Sequence, residues 1–135
     1  MTLSESVDTI LAHEDVFGEL FYPEFFRRCP EAEPHFKGSD MQRQSLLVTM
    51  TLTTIQQHAS GTKGAVEAYL VHLGAVHRRR SIPLELYPEW RGAMLSTLRK
   101  LLGEVWDTEL RKEWENALDS TIRVMLGGYE HPRGI

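Results

Sequence analysis

Residues 66–90 constrain the fold of this chain more than any other stretch. Four side chains here recur at spacings of four, three and four residues, on one face of a predicted helix: Val66, Leu70, Leu73 and His77. The cationic run Arg78–Arg80 follows at once, and the sequence then breaks at Pro83. Because proline suits the first turn of a helix, we predict that Pro83 opens the next one.

A histidine that ends an apolar helical face beside three cations is chemically unusual. Neutral imidazole is a ligand of haem iron, and the neighbouring arginines suit a cofactor whose acidic groups reach outward. On its own, this pattern more often belongs to a core histidine whose ring nitrogens already have hydrogen-bond partners, next to a charged face that points into water. The interpretation of His77 therefore depends on the rest of the chain.

The helical period recurs from one end of the chain to the other. Further helices are predicted over residues 4–13, 16–26, 39–55, 83–101 and 110–125. No segment alternates with period two over a useful length, so the chain is predicted to be all-α.

Individual residues predict where these helices begin and end. Ser4 or Ser6 is expected to cap the first helix, and Ser39 to cap the third. Pro23 lies inside the second, which must kink there or begin later. The glycine pair at 127–128 is expected to end the last helix.

Composition limits the class of protein. The chain has 135 residues, a formal net charge of -4 and one cysteine, Cys29. Nucleic acid and acidic membranes are therefore unexpected partners, and an internal disulfide is excluded. No apolar run is long enough to span a bilayer, and the N-terminus lacks a hydrophobic signal core. We expect a cytoplasmic protein.

Several short motifs occur in one order along the chain. They are Leu20-Phe21-Tyr22 with Phe25-Phe26, Pro30-Glu31, Phe36, Asp40-Met41-x-x-Gln44, Leu73-Gly74-x-x-His77, Tyr87 and Trp114. In this order and at these intervals they resemble the globins, specifically bacterial single-domain globins and the haem domain of flavohaemoglobins. The resemblance runs from about Phe17 to Met125, which is nearly the whole chain.

This resemblance implies a single globin domain over residues 1–135, with six to eight helices around a haem pocket. The haem would be haem b, since the chain lacks the Cys-x-x-Cys-His signature of covalent attachment. The implied pocket residues are His77, Tyr22, Gln44, Val48, Phe36, Phe25, Leu73, Ile82, Tyr87 and Arg80. One core around the haem is expected from Phe21, Phe25, Leu52, Leu98, Leu118 and Ile122.

By position, His77 matches the proximal iron ligand of globins and Phe36 the aromatic residue that stacks on the haem. Tyr22 and Gln44 match the distal polar pair, and Val48 the aliphatic residue over the iron. Gln42 competes for the distal role, but Gln44 lies eight residues after Phe36 and four before Val48. Bound dioxygen carries partial negative charge, so a hydroxyl and an amide would stabilise it more than they stabilise carbon monoxide.

On the proximal side, we expect the second ring nitrogen of His77 to donate to a carbonyl near Leu73. Tyr87 is placed to add a hydrogen bond. In flavohaemoglobins a glutamate in the last helix completes this set, whereas the aligned position here is Tyr129. That departure weakens the expectation of strong electron donation from the histidine.

The resemblance implies an oxygen-binding protein that also takes nitric oxide and carbon monoxide, as a monomer or a homodimer. Nitric oxide dioxygenase or weak peroxidase-like activity would need an external reductase, because we expect no reductase domain in this chain. A gas or redox sensor acting through a protein partner remains an alternative. So does a haemless interaction module, although such a module has no need of His77, Tyr22 and Gln44.

Overall fold

The computed structural model describes residues 1–13, 16–61 and 63–130. Within these ranges the chain forms α1 (Leu3–Leu11), α2 (Val16–Arg28), α3 (Met41–Ala59), α4 (Gly64–Arg79), α5 (Leu86–Leu102) and α6 (Thr108–Glu130), with 3₁₀ helices at Pro30–Phe36 and Gly103–Val105. The same ranges contain no strand. The all-α prediction is therefore confirmed. None of the described helices is long and apolar enough to cross a membrane.

The helix caps differ from those predicted. Thr2 caps α1, where its hydroxyl accepts from the Glu5 amide at 3.1 Å while the Glu5 carboxylate accepts from the Thr2 amide at 2.8 Å. Ser6 is instead buried, with its hydroxyl donating to the Leu3 carbonyl and accepting from the Trp114 indole. Asp40 rather than Ser39 caps α3. The predicted caps were therefore wrong by a few residues, because the side-chain oxygens of Thr2 and Asp40 accept from the first free amides of these helices.

Pro23 and Pro83 do not mark helix starts, although the sequence suggested that each could. α2 runs unbroken through Pro23, whose exposed position leaves the unpaired carbonyl one turn earlier open to water. The helix therefore does not begin late. Pro83 does not open α5, which begins three residues later, because the Pro83 carbonyl accepts from the Leu86 amide in a turn at 3.2 Å.

The prediction that the glycine pair ends the last helix is wrong, since α6 continues to Glu130. Gly128 lies where α6 crosses α4, and a Cβ there would overlap the Val71 carbonyl and the Ala75 amide. Across the same crossing, a Cβ on Gly74 would overlap the Met125 carbonyl. These glycines allow two helix backbones to touch, which is a packing role and not a stop signal.

The buried side chains form two clusters. The larger joins α1, α2, α3, α5 and the first half of α6, and it contains five of the predicted core residues: Phe21, Phe25, Leu52, Leu98 and Leu118. The smaller joins α4 to the start of α5 and the end of α6 around Leu70, Tyr87 and Met125. Ile122 is only half-buried and packs on this second cluster, so the prediction of a single core is wrong at that residue.

Candidate functional site

His77 lies in the last turn of α4, at the edge of the smaller cluster. Its Nδ1 atom is 2.8 Å from the Tyr87 hydroxyl oxygen at the start of α5. The expected partner of this nitrogen was a carbonyl near Leu73, so that prediction is wrong. Helix α4 is held on α6 by the glycine crossing, which brings α5 and the end of α6 within reach of the same imidazole.

A continuous chain of hydrogen bonds leads away from this imidazole. The Tyr87 hydroxyl donates to the Tyr129 hydroxyl at 3.3 Å, and the Tyr129 hydroxyl donates to the Ile82 carbonyl at 2.8 Å. A carbonyl can only accept, and each phenol has one proton, so the direction of the chain is fixed from its far end. With all three bonds formed, Nδ1 of His77 is the donor to Tyr87. The proton of the neutral imidazole lies on Nδ1, and Nε2 keeps its lone pair.

The protonation states agree with this direction. Burial, and after it the charge of Arg80, lowers the pKa of His77 below its ordinary value, which favours the neutral ring. Burial raises the pKa values of Tyr87 and Tyr129, so both phenols keep their protons. A neutral imidazole with a free Nε2 is the form that binds a metal ion.

The Ile82 backbone is held in place from both sides. Its amide donates to the His77 carbonyl at 3.0 Å, which folds the segment after α4 back onto the helix end. Its carbonyl then receives the Tyr129 proton. Ile82 was predicted as a pocket side chain, and the role of its carbonyl has no signal in the sequence.

Tyr22 leads a second group of predicted residues, on the side of the larger cluster. Its ring is buried and makes edge contact with Phe36, the two centroids being 5.2 Å apart. Phe36 also contacts Phe26, with the two ring centroids 5.4 Å apart, so it belongs to an aromatic group. The Tyr22 hydroxyl donates to the Gln44 backbone carbonyl over a long 3.4 Å. Burial raises the pKa of Tyr22 to about 12, so its proton stays in place at neutral pH.

The other predicted pocket residues divide between the two clusters. Val48 and Phe25 are buried in the larger one, and Leu73 packs against the smaller one. Gln44 is half-buried, and its side-chain amide has no hydrogen bond to any residue the structure describes. Arg80 is exposed, close enough to His77 for its charge to affect that ring.

These residues fit a haem. His77 offers a bare nitrogen for the iron, and Arg80 offers a cation for an acidic substituent. Helix α3 also leaves Leu47 half exposed, at 49%, on the face that it shares with Gln44. A flat apolar group covering that surface would remove it from water.

Comparison with known proteins adds a result about the fold. No family model and no curated protein sequence matches the chain. A crystal structure from Pseudomonas aeruginosa PAO1, of a protein described as structurally highly homologous to a human hemoglobin, matches with a TM-score of 0.75 and 24% identity. The match covers 92% of this chain and 98% of that one. The likeness to flavohaemoglobins in particular stays a prediction. The fold is established by this match: the chain has the globin fold.

Proposed function

We propose that this protein is a haem-binding globin that binds dioxygen reversibly, with His77 as the iron ligand. The observation that supports this most is the one-way hydrogen-bond chain from Nδ1 of His77 to the Ile82 carbonyl. It leaves Nε2 as a lone-pair donor in an imidazole whose orientation and tautomer are already set. A histidine with only a structural role would need neither a free Nε2 lone pair nor a fixed tautomer.

Bound haem b would supply an iron atom that takes diatomic gases, dioxygen, nitric oxide and carbon monoxide among them. The residues of this chain supply the surroundings. Buried Val48 and half-buried Phe36 would limit the entry of water, and Tyr22 holds a protonated hydroxyl on a ring that contacts Phe36. Such a donor favours a ligand with partial negative charge over carbon monoxide. The Gln44 side-chain amide, which has no hydrogen bond to a described residue, can turn toward the same ligand.

The proximal side favours reversible binding over peroxidase-like chemistry. The chain of donors ends at a backbone carbonyl, and no carboxylate of the described residues takes part in it. A neutral acceptor draws the Nδ1 proton only weakly, so the imidazole pushes less charge toward an iron atom than one paired with a carboxylate. Nitric oxide turnover with an external reductase is compatible with the same pocket.

The visible absorption spectrum of the purified protein, oxidised and then reduced, tests this proposal. The wild-type protein should bind one haem per chain, and His77→Ala should lose it or bind it only with added imidazole. His72→Ala is the matched control, because His72 is exposed on the same helix and has no described partner. An unchanged Soret band and iron coordination in His77→Ala would refute the assignment.

A further inference from the structure

A cleft of about 370 Å³ opens between the end of α2, the second half of α5 and the start of α6, and no residue of the candidate haem site lines it. Three arginines line it from three different segments: Arg28, Arg99 and Arg111. The half-buried indole of Trp106 forms part of the wall. Three guanidinium groups facing one cleft are unexpected in a chain with a net charge of -4.

Arg28 is held in a defined position. Its Nε donates to the Glu24 carboxylate at 3.0 Å, which leaves the terminal nitrogens free. Hydrogen bonds from Arg27 first, and then from Arg28, lower the pKa of Glu24 to about 2, so the carboxylate stays ionised. The guanidinium lies against Gly92 of α5, where a Cβ would come within 2.7 Å of Nη1. The missing side chain at Gly92 therefore makes the space that Arg28 occupies.

Arg99 and Arg111 differ from Arg28, which pairs with Glu24 at 3.0 Å. Neither pairs with a residue that the structure describes. The one carboxylate on the cleft wall, Asp107, already accepts from the Leu110 amide at 2.8 Å at the start of α6. Two guanidinium groups without an ion pair among the described residues and a third already paired with Glu24 therefore face the cleft, so that its cationic groups outnumber the carboxylates Asp107 and Glu24.

We infer that this cleft binds a small polyanion, one that carries two or more phosphate or carboxylate groups. Planar guanidinium groups bind such oxyanions in pairs of hydrogen bonds, and three of them exceed what a single monoanion needs. The Trp106 indole adds a flat apolar face on which an attached planar ring can stack. A nucleoside di- or triphosphate combines both features. The site is independent of the proposed haem function.

Isothermal titration calorimetry with pyrophosphate, ATP and adenosine tests the inference on the whole protein. Pyrophosphate and ATP should each bind once per chain, ATP more tightly because of its ring, and adenosine should not bind. The Arg99→Gln/Arg111→Gln variant should weaken ATP binding about tenfold or more, since it removes two charge-assisted contacts. Gly92→Ala should weaken it while every charge remains, because Arg28 must move.

The matched control is Lys100→Gln/Arg123→Gln, which removes the same charge from exposed positions on the same two helices outside the cleft. Its affinity for ATP should stay within about twofold of wild type, since exposed distant charges are screened. An equal loss in both double variants would show general charge attraction and overturn the inference. So would the absence of pyrophosphate binding, or adenosine binding as tight as that of ATP.

Discussion

The two sides of the candidate haem site are built in opposite ways. On the proximal side, His77 is fixed by three consecutive hydrogen bonds that end on a backbone carbonyl. On the distal side, Tyr22 is fixed by ring packing, and its hydroxyl has one long 3.4 Å bond. A metal ligand gains from having its orientation set in advance, whereas a donor to an incoming gas must be able to leave its resting partner.

The backbones on the two sides approach each other in the same way. Proximal helix α4 touches α6 directly at the crossing of Gly74 and Gly128. The distal helices α2 and α3 approach as closely at Gly18, where a Cβ would overlap the Cα and the carbonyl oxygen of Ser45. Main-chain contact therefore holds the helices on both sides, and the two sides differ in the hydrogen bonds of His77 and Tyr22.

The largest effect is expected where that main-chain contact is disturbed. Gly74→Ala places a methyl group against the Met125 carbonyl, and it should lower the free energy of unfolding by about 3 kcal/mol. Gly127→Ala is the control, because a Cβ there meets no atom within 4 Å. This change should raise the free energy of unfolding by about 0.5–1 kcal/mol, since alanine favours the helix more than glycine does. Urea denaturation measures both.

Haem uptake by the same two variants sharpens the comparison. Gly74 lies one turn before His77, so Gly74→Ala should also weaken haem binding, while Gly127→Ala should leave it unchanged. Equal stability of the two variants would mean that the crossing of α4 and α6 can separate at little cost.

The next effect concerns the distal donor. Tyr22→Phe keeps the ring packing but removes the hydroxyl, so dioxygen should leave about ten- to a hundredfold faster, as expected from a lost bond of ~1.5–3 kcal/mol. Carbon monoxide, which carries less charge, should leave at nearly the wild-type rate. Stopped-flow release of the two gases measures the difference.

Gln44→Leu should do less than Tyr22→Phe, because a flexible amide loses more entropy when it holds a ligand. The effects of the two changes should not add, as both groups serve one ligand. Equal acceleration of both gases by Tyr22→Phe would show that access to the pocket, and not hydrogen bonding, controls release.

Much of this fold could be predicted from the sequence because apolar residues at a 3.6-residue spacing carry the information locally. Leu52 in α3 and Leu98 in α5 are examples, since both are buried as predicted. The position of His77 at the end of an apolar stripe was visible in the same way. The buried face of a helix can be predicted from the sequence of that helix alone.

Features that depend on two distant segments were missed. Tyr129 reaches Ile82 across 47 residues, and nothing in either local sequence indicates the contact. A glycine pair predicts a helix stop or a close crossing equally well until the partner helix is known, which is why α6 was ended too early. The arginine cleft combines residues 28, 99 and 111, and its members are unremarkable one by one.

The smallest effect tests the direction of the proximal chain. Tyr129→Phe removes the acceptor of the Tyr87 proton, and the loss of one such bond should cost about 1 kcal/mol of stability. Tyr87 can then donate to Nδ1 of His77, which moves the imidazole proton to Nε2 and blocks the metal-binding atom. The ring nitrogen chemical shifts of His77, measured by ¹⁵N NMR without haem, distinguish the two tautomers. Wild type should show Nδ1–H, Tyr129→Phe a mixture, and the exposed control Tyr69→Phe no change. If wild type already shows Nε2–H, Tyr87 donates to Nδ1 of His77 and not to Tyr129, and the proximal side is not prepared for iron.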